Sequence, residues 1–130
     1  MSAKDLLKTF EQALARLEQV MNEPKTSIVR DAAIQRFEFT FELAWKATQR
    51  FLRDEGIVWR SPKGCLQEAF SLGVVADSPL WIRMIEDRNL TVHTYSERTA
   101  EVIFSHLKEY LPLFRELLNG VSARATKSDV

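Results

Sequence analysis

A chain of 130 residues fits one domain and is long enough to bury a sizeable apolar core without disulfides or metal ions. Hydrophobic residues make up 45% of the sequence and charged residues 28%, a balance that is typical of a globular protein and excludes a disordered one. The 18 basic and 18 acidic side chains cancel, which excludes a strong overall field toward a polyanion, so any contact with nucleic acid must be local.

The sequence offers few groups for redox or metal chemistry. Cys65 is the one cysteine, so no internal disulfide can form, and the two histidines, His93 and His106, fall short of any zinc-binding pattern. The first residues lack the apolar segment and cleavage site of a signal peptide, and no apolar run reaches the roughly 18 residues that span a bilayer. We therefore expect a cytoplasmic protein with no cofactor, no bound metal and no membrane contact.

The amino-terminal half predicts two amphipathic helices. The first helix is indicated by apolar residues at three- and four-residue intervals, namely Leu6, Leu7, Phe10, Ala13, Leu14, Leu17, Val20 and Met21. Pro24 ends this pattern, because proline cannot continue a helix interior. The second helix is predicted from Ile28 to Glu55, a stretch without glycine or proline, and Gly56 offers a carboxy-terminal cap.

The second predicted helix also carries a competing strand pattern. Large apolar residues alternate with polar or small ones in the series Phe37, Phe39, Phe41, Leu43 and Trp45. We favour a helix because the flanking residues have high helix propensity and the segment contains no turn signal. In a helix, Phe39 and Leu43 form a second apolar row, which predicts a homodimer interface. The alternative is that another helix of the same chain covers this row.

Two shorter helices are predicted next, each with the same starting signal. Ser61 is the expected amino-terminal cap of the third helix, with Pro62 at its first position, and Gly73 stops that helix. The segment 77–79, Asp-Ser-Pro, then repeats the signal for a fourth helix.

The last predicted helix begins near Thr94 to Ser96, where Thr94 and Glu97 have capping-box spacing, is kinked at Pro112 and ends at Gly120. Residues 121–130 are small and polar and are predicted to form a frayed tail. The sequence thus predicts one all-α domain of about five helices over residues 1–120.

Four side chains suited to phosphate chemistry lie near the end of the fourth helix: Arg88, Asn89, His93 and Tyr95. On a helix, Asn89 and His93 share one face, and Arg88 and Tyr95, seven residues apart, share a neighbouring one. A guanidinium group matches phosphate oxygens, an imidazole can move a proton near neutral pH, and an amide can orient a scissile group. These residues therefore indicate a metal-free phosphodiester site. In the structural alternative, they satisfy a helix end and pair with neighbouring acidic residues.

Two further reactive side chains are interpreted as structural. His106 is predicted to be a surface histidine of the last helix, away from the motif in sequence. Cys65 lies beside an apolar run and is predicted to be a small core residue rather than a reactive thiol.

The motif and a second block resemble a known family. Residues 88–95, Arg-Asn-Leu-Thr-Val-His-Thr-Tyr, resemble the Arg-x4-His-x-Tyr signature of the HEPN (higher eukaryotes and prokaryotes nucleotide-binding) superfamily. Residues 37–46, Phe-Glu-Phe-Thr-Phe-Glu-Leu-Ala-Trp-Lys, and residues 80–97 are similar to its nucleotidyltransferase substrate-binding branch. The resemblance covers residues 5–118, and the two blocks in this order are more specific than the motif alone.

The resemblance implies an up-and-down helical bundle that forms a homodimer, with both motif copies facing a shared cleft. It implies a separate minimal nucleotidyltransferase, encoded nearby, as the partner and a nucleotide or RNA as the ligand. In related toxin–antitoxin pairs, the HEPN member is a metal-independent RNase that the transferase silences by adenylylating the motif tyrosine. By position, Arg88 is expected to hold the phosphate, Asn89 to assist, His93 to act as acid and base, and Tyr95 to be modified.

Three hypotheses of function follow. The chain is an RNase that uses Arg88 and His93, a binding subunit that presents a nucleotide or other substrate to a transferase, or a non-catalytic helical dimerisation scaffold. Replacing Arg88 and His93 distinguishes the scaffold from the other two hypotheses. A scaffold would lose only stability in these variants.

Overall fold

The computed structural model describes residues 1–93 and 95–128, with side chains described as far as residue 125. Five helices and no strand are found in this part of the chain, which confirms the predicted all-α bundle: α1 (Ala3–Met21), α2 (Ser27–Asp54), α3 (Pro62–Ser71), α4 (Leu80–His93) and α5 (Glu97–Ser128). Helix α2 contacts each of the other four helices and is the centre of the bundle. Every described helix is too short or too polar to cross a membrane.

The predicted signals at the start of α3 and at the ends of α2 and α3 lie where these helices begin and end. The Ser61 hydroxyl accepts a hydrogen bond of 3.1 Å from the backbone N–H of Gly64, and Pro62 follows at the first position of α3. Gly56 and Gly73, which follow α2 and α3, have φ angles of 83° and 74°. A residue with a side chain rarely adopts such angles, so glycine ends both helices.

The predicted end of the last helix at Gly120 is wrong, because α5 continues to Ser128. A Cβ at Gly120 would overlap the backbone carbonyl oxygen of Val74, so this glycine permits close packing of the 73–79 connection rather than a helix stop. Residues 121–128, assigned to a tail from the sequence, are helical. The predicted cap Thr94 lies outside the described residues, and the kink at Pro112 stays a prediction.

The helical interpretation of residues 37–45 is confirmed, and the strand alternative is wrong. Phe37 and Phe41, four residues apart, are both buried, whereas Phe39 between them is 62% exposed. This pattern follows the period of a helix with one buried side. The second apolar row is covered only in part, because Leu43 is partly buried against the core while Phe39 is exposed. Both residues line an open groove of about 820 Å³ between α1 and α2.

An aromatic cluster fills the centre of the bundle. Phe114 of α5 meets the rings of Phe10 and Trp81 edge to face, each at 6.1 Å between centroids. Phe37 of α2 stacks on Tyr110 of α5 at 5.7 Å. Such contacts add about 0.5–1.5 kcal/mol each to the stabilisation from burial. The cluster therefore fixes α1, α4 and α5 against α2, which positions the polar motif at the end of α4.

Candidate functional site

Arg88 lies on α4 and is held by α2. Its guanidinium donates a hydrogen bond to Oε1 of Glu42 and lies 5.5 Å from the centre of the Phe41 ring. Glu42 is also 3.6 Å from Nζ of Lys46, so the carboxylate faces two cations. The Arg88 side chain is 26% exposed. The motif arginine is thus oriented by a carboxylate and an aromatic ring, and its outer edge remains accessible.

Asn89 and His93 lie on one face of the last turn of α4, one helical turn apart. Both residues are exposed. Neither side chain makes a hydrogen bond or ion pair with another residue of the described chain. An amide and an imidazole are therefore available to a ligand beside Arg88.

Tyr95 follows α4 and points to the beginning of α2. Its hydroxyl donates a hydrogen bond of 2.5 Å to Oδ1 of Asp31. Partial desolvation of the phenol, together with this hydrogen bond, raises the pKa of Tyr95 to about 12. Because α4 ends at His93, Tyr95 is not on that helix, and the predicted sharing of a helix face with Arg88 is wrong.

The carboxylate that receives Tyr95 belongs to a network around a buried arginine. Arg30, only 3% exposed, donates from Nε to Oδ1 of Asp31 at 3.0 Å. Its Nη1 donates to Glu97 at 2.7 Å and to Glu101 at 2.9 Å, both on α5. The hydrogen bonds from Tyr95 and from Arg30 lower the pKa of Asp31. The network therefore fixes the starts of α2 and α5 beside the motif tyrosine.

His106, predicted to be a surface histidine, is partly buried and pairs with a neighbour of the motif. Its Nδ1 lies 2.8 Å from Oδ2 of Asp87, the neighbour of Arg88, and the His106 side chain is only 23% exposed. Asp87 is buried and also accepts a hydrogen bond of 2.5 Å from the Tyr110 hydroxyl. The Tyr110 oxygen in turn accepts a hydrogen bond of 2.9 Å from Nε of Arg83. Sequence reasoning missed this network because its members are dispersed over α4 and α5.

The prediction of a structural Cys65 is confirmed. The side chain is buried in the core, and this burial raises the pKa of its thiol to about 11. The thiol is therefore protonated at neutral pH and is a poor nucleophile.

The two ends of the motif are attached to one side of α2. Asp31 and Glu42 are eleven residues apart, which is three helical turns and about 16 Å along the axis. Asp31 binds Tyr95, and Glu42 binds Arg88. Within the described chain, no hydrogen bond or ion pair joins any two of the four predicted site residues. Arg88 and Tyr95 are therefore anchored at two separate points along α2, and Asn89 and His93 lie between them in sequence.

The fold is thus a helical bundle in which two polar side chains, Arg88 and Tyr95, are anchored on the central helix α2. The family model for nucleotidyltransferase substrate binding protein like proteins matches residues 5–123. The chain belongs to this family. The match confirms the resemblance predicted from residues 37–46 and 80–97.

Similar proteins agree with this assignment. A protein of Haemophilus influenzae named probable ribonuclease HepT is 33% identical over 94 residues, which are 65% of this chain and 64% of that protein. The match thus spans slightly less than two thirds of the relative. A crystal structure from Thermus thermophilus is 44% identical, with a TM-score of 0.79 over 86% of this chain and 98% of the other. A Haemophilus influenzae structure, described as the fold of a substrate binding domain of a nucleotidyltransferase, is 27% identical, with a TM-score of 0.79 over 89% and 98%.

Proposed function

We propose that this chain is the HEPN-type partner subunit of a separate minimal nucleotidyltransferase, and that Arg88, Asn89 and His93 bind a nucleotide or RNA phosphate. The observation that carries this proposal is the exposed amide of Asn89 and imidazole of His93, which have no partner among the described residues, next to the oriented guanidinium of Arg88 in the sequence. Arginine binds phosphate through paired N–H donors, and the amide and imidazole on the neighbouring face of α4 can add hydrogen bonds. Membership of the nucleotidyltransferase substrate binding protein like family supports a transferase as the partner.

A second candidate activity is metal-independent cleavage of RNA in a cytoplasmic toxin–antitoxin pair. It is favoured by the free imidazole of His93, which can take a proton from an attacking hydroxyl and return one to the leaving oxygen. Arg88 would stabilise the charge that develops on the phosphate. The name of the Haemophilus influenzae relative, probable ribonuclease HepT, points to the same chemistry.

We further propose that the chain acts as a homodimer through the outer side of α2. Phe39 is 62% exposed and, with Leu43, lines the groove between α1 and α2, so an apolar surface continues from the ring into the groove. A twofold interface on α2 would bring two copies of the motif to one cleft, because the same helix anchors Arg88 and Tyr95. Sedimentation of Phe39→Asp should give monomers. Phe70→Asp, which changes another exposed phenylalanine, on α3, should leave the dimer intact.

The function is tested by comparing wild type, Arg88→Ala and His93→Ala for binding and cleavage of a set of single-stranded RNAs. Val92→Ala is the matched control, because Val92 is an exposed residue on the same turn of α4. Loss of binding in Arg88→Ala with normal folding supports the phosphate site. Loss of cleavage alone in His93→Ala supports the RNase. If the four proteins do not differ in RNA binding or in RNA cleavage, the non-catalytic scaffold remains as the function.

A further inference from the structure

The hydroxyl of Tyr95 is the motif group with the best-defined proton acceptor. Its oxygen lies 2.5 Å from Oδ1 of Asp31, while the residue as a whole is 53% exposed. The phenol can therefore be approached from solvent while its proton is directed at a carboxylate. A neutral phenol is a weak nucleophile, and an adjacent base is one of the ways in which proteins activate such a group.

Asp31 cannot readily turn away from this contact. The buried Arg30 donates to the same carboxylate oxygen, Oδ1, at 3.0 Å. Glu97 and Glu101 hold the other end of the guanidinium at 2.7 and 2.9 Å. The hydrogen bonds of Asp31 also lower its pKa, so the carboxylate is ionised at neutral pH and accepts the hydrogen bond from Tyr95.

We propose that Asp31 positions the Tyr95 hydroxyl as the acceptor of a nucleotidyl group and takes its proton during the transfer. This inference rests on the proposed transferase partner, which supplies a nucleoside triphosphate. The Tyr95 oxygen forms a bond to the α-phosphorus, the bond from that phosphorus to the β-bridging oxygen breaks, and pyrophosphate leaves. The phenolic proton passes to Oδ1 of Asp31, which has only to release it to solvent afterwards.

Once Tyr95 is nucleotidylated, it cannot return to its contact with Asp31. A nucleotidylated Tyr95 has lost its O–H donor and carries a negatively charged phosphodiester. Around it lie three carboxylates, of Asp31, Glu97 and Glu101, against the two cations Arg30 and Lys25. Like charge and a missing donor both oppose the old position. Transfer therefore separates Tyr95 from α2, and this displaces one of the two anchors of the motif.

The experiment uses diisopropyl fluorophosphate, a neutral phosphorus electrophile that requires no partner protein. Labelling joins the Tyr95 oxygen to phosphorus, expels fluoride and sends the phenolic proton to Asp31. The labelling rate at Tyr95, located by peptide mass spectrometry, is compared at pH 7 for wild type, Asp31→Asn, Asp31→Glu and Glu97→Gln, with Tyr95→Phe as the blank. Glu97→Gln is the matched control, because it removes one negative charge and one partner of Arg30 without touching Tyr95.

We expect Asp31→Asn to slow labelling at least about tenfold, Asp31→Glu to restore part of the rate, and Glu97→Gln to stay within about twofold of wild type. The wild-type rate should also be nearly independent of pH around neutrality, whereas the Asp31→Asn rate should rise with pH as phenolate forms. Equal or faster labelling of Asp31→Asn at pH 7 would overturn the proposal.

A second arm separates this inference from the proposed function. The nucleotidyltransferase encoded next to this chain is incubated with Mg²⁺, a nucleoside triphosphate, and either wild type or Asp31→Asn. Slower modification of Asp31→Asn at Tyr95 supports the proposal, and equal modification of both proteins contradicts it. If wild type is not modified at all, the transferase partnership fails, and the proposed transfer to Tyr95 fails with it. An Asp31-dependent fluorophosphate reaction would then show only that Asp31 activates the phenol.

Discussion

Glu42 on α2 accepts a hydrogen bond from the guanidinium of Arg88 on α4. The contact places a carboxylate where a bound phosphate would also interact with the arginine. Both anions require the same N–H donors, so they compete unless the ligand uses the outer edge of the guanidinium. Glu42 therefore orients the motif arginine and, under the proposed function, would also limit its affinity for phosphate.

Glu42→Gln should increase the affinity for a short single-stranded RNA by up to about fivefold. The amide oxygen still accepts a hydrogen bond from Arg88, but the competing charge is lost, and a partly exposed ion pair contributes about 0.2–1 kcal/mol. Dissociation constants from fluorescence anisotropy measure the change. Glu38→Gln removes a carboxylate one turn earlier on α2 and should have a smaller effect. If both variants bind equally tightly, net charge rather than release of Arg88 is the cause.

Phe37→Ala should lower the free energy of unfolding by about 3–5 kcal/mol, because the ring is fully buried and packs against Tyr110 and Phe114. Urea denaturation followed by circular dichroism measures this loss. Phe39→Ala, two residues away on the exposed side of α2, should change the stability of the monomer by about 0.5 kcal/mol or less. A large loss in both variants would contradict the assignment of the two faces.

Gly120→Ala should destabilise the protein, although alanine is favoured over glycine by about 1 kcal/mol in a helix interior. The added Cβ would overlap the carbonyl oxygen of Val74, which belongs to backbone and cannot rotate away. Asn119→Ala, at an exposed position one residue earlier in α5, should be neutral or slightly stabilising. A higher melting temperature for Gly120→Ala than for wild type would show that the 73–79 connection moves without strain.

Acid should weaken the cluster around Arg30. The pKa values of Glu97 and Asp31 are lowered, in Glu97 mainly by its hydrogen bond with Arg30 and in Asp31 by its hydrogen bonds with Tyr95 and then Arg30. Lowered folded-state pKa values stabilise the protein above the unfolded values, about 4, and this stabilisation is lost as the pH falls through the folded values. Glu97→Gln should therefore lose less stability than wild type between about pH 4 and pH 2 in chemical denaturation. Glu11→Gln removes an exposed carboxylate away from Arg30. This variant should lose as much stability as wild type over the same pH range.

The local structure could be predicted from the sequence to a large extent. The helical repeat of apolar residues, the cap at Ser61 and the glycines at 56 and 73 each act within a few residues, so they indicate where helices lie without knowledge of the fold. The signal at Gly120 failed because glycine has two uses. It can end a helix, or it can admit a neighbouring backbone, and only the position of Val74 decides between them.

The candidate site, too, could be predicted from the sequence only in part. The sequence by itself determined which side chains are available for phosphate chemistry, because Arg88, Asn89, His93 and Tyr95 lie within eight residues and match a family signature. Only the tertiary structure decided which of them are anchored and which are free. Asp31 and Glu42 precede the motif by more than forty residues, and they meet Tyr95 and Arg88 because the aromatic core packs α2 against α4 and α5. A hydrogen bond depends on distance in space, and the order of residues along the chain does not contain that distance.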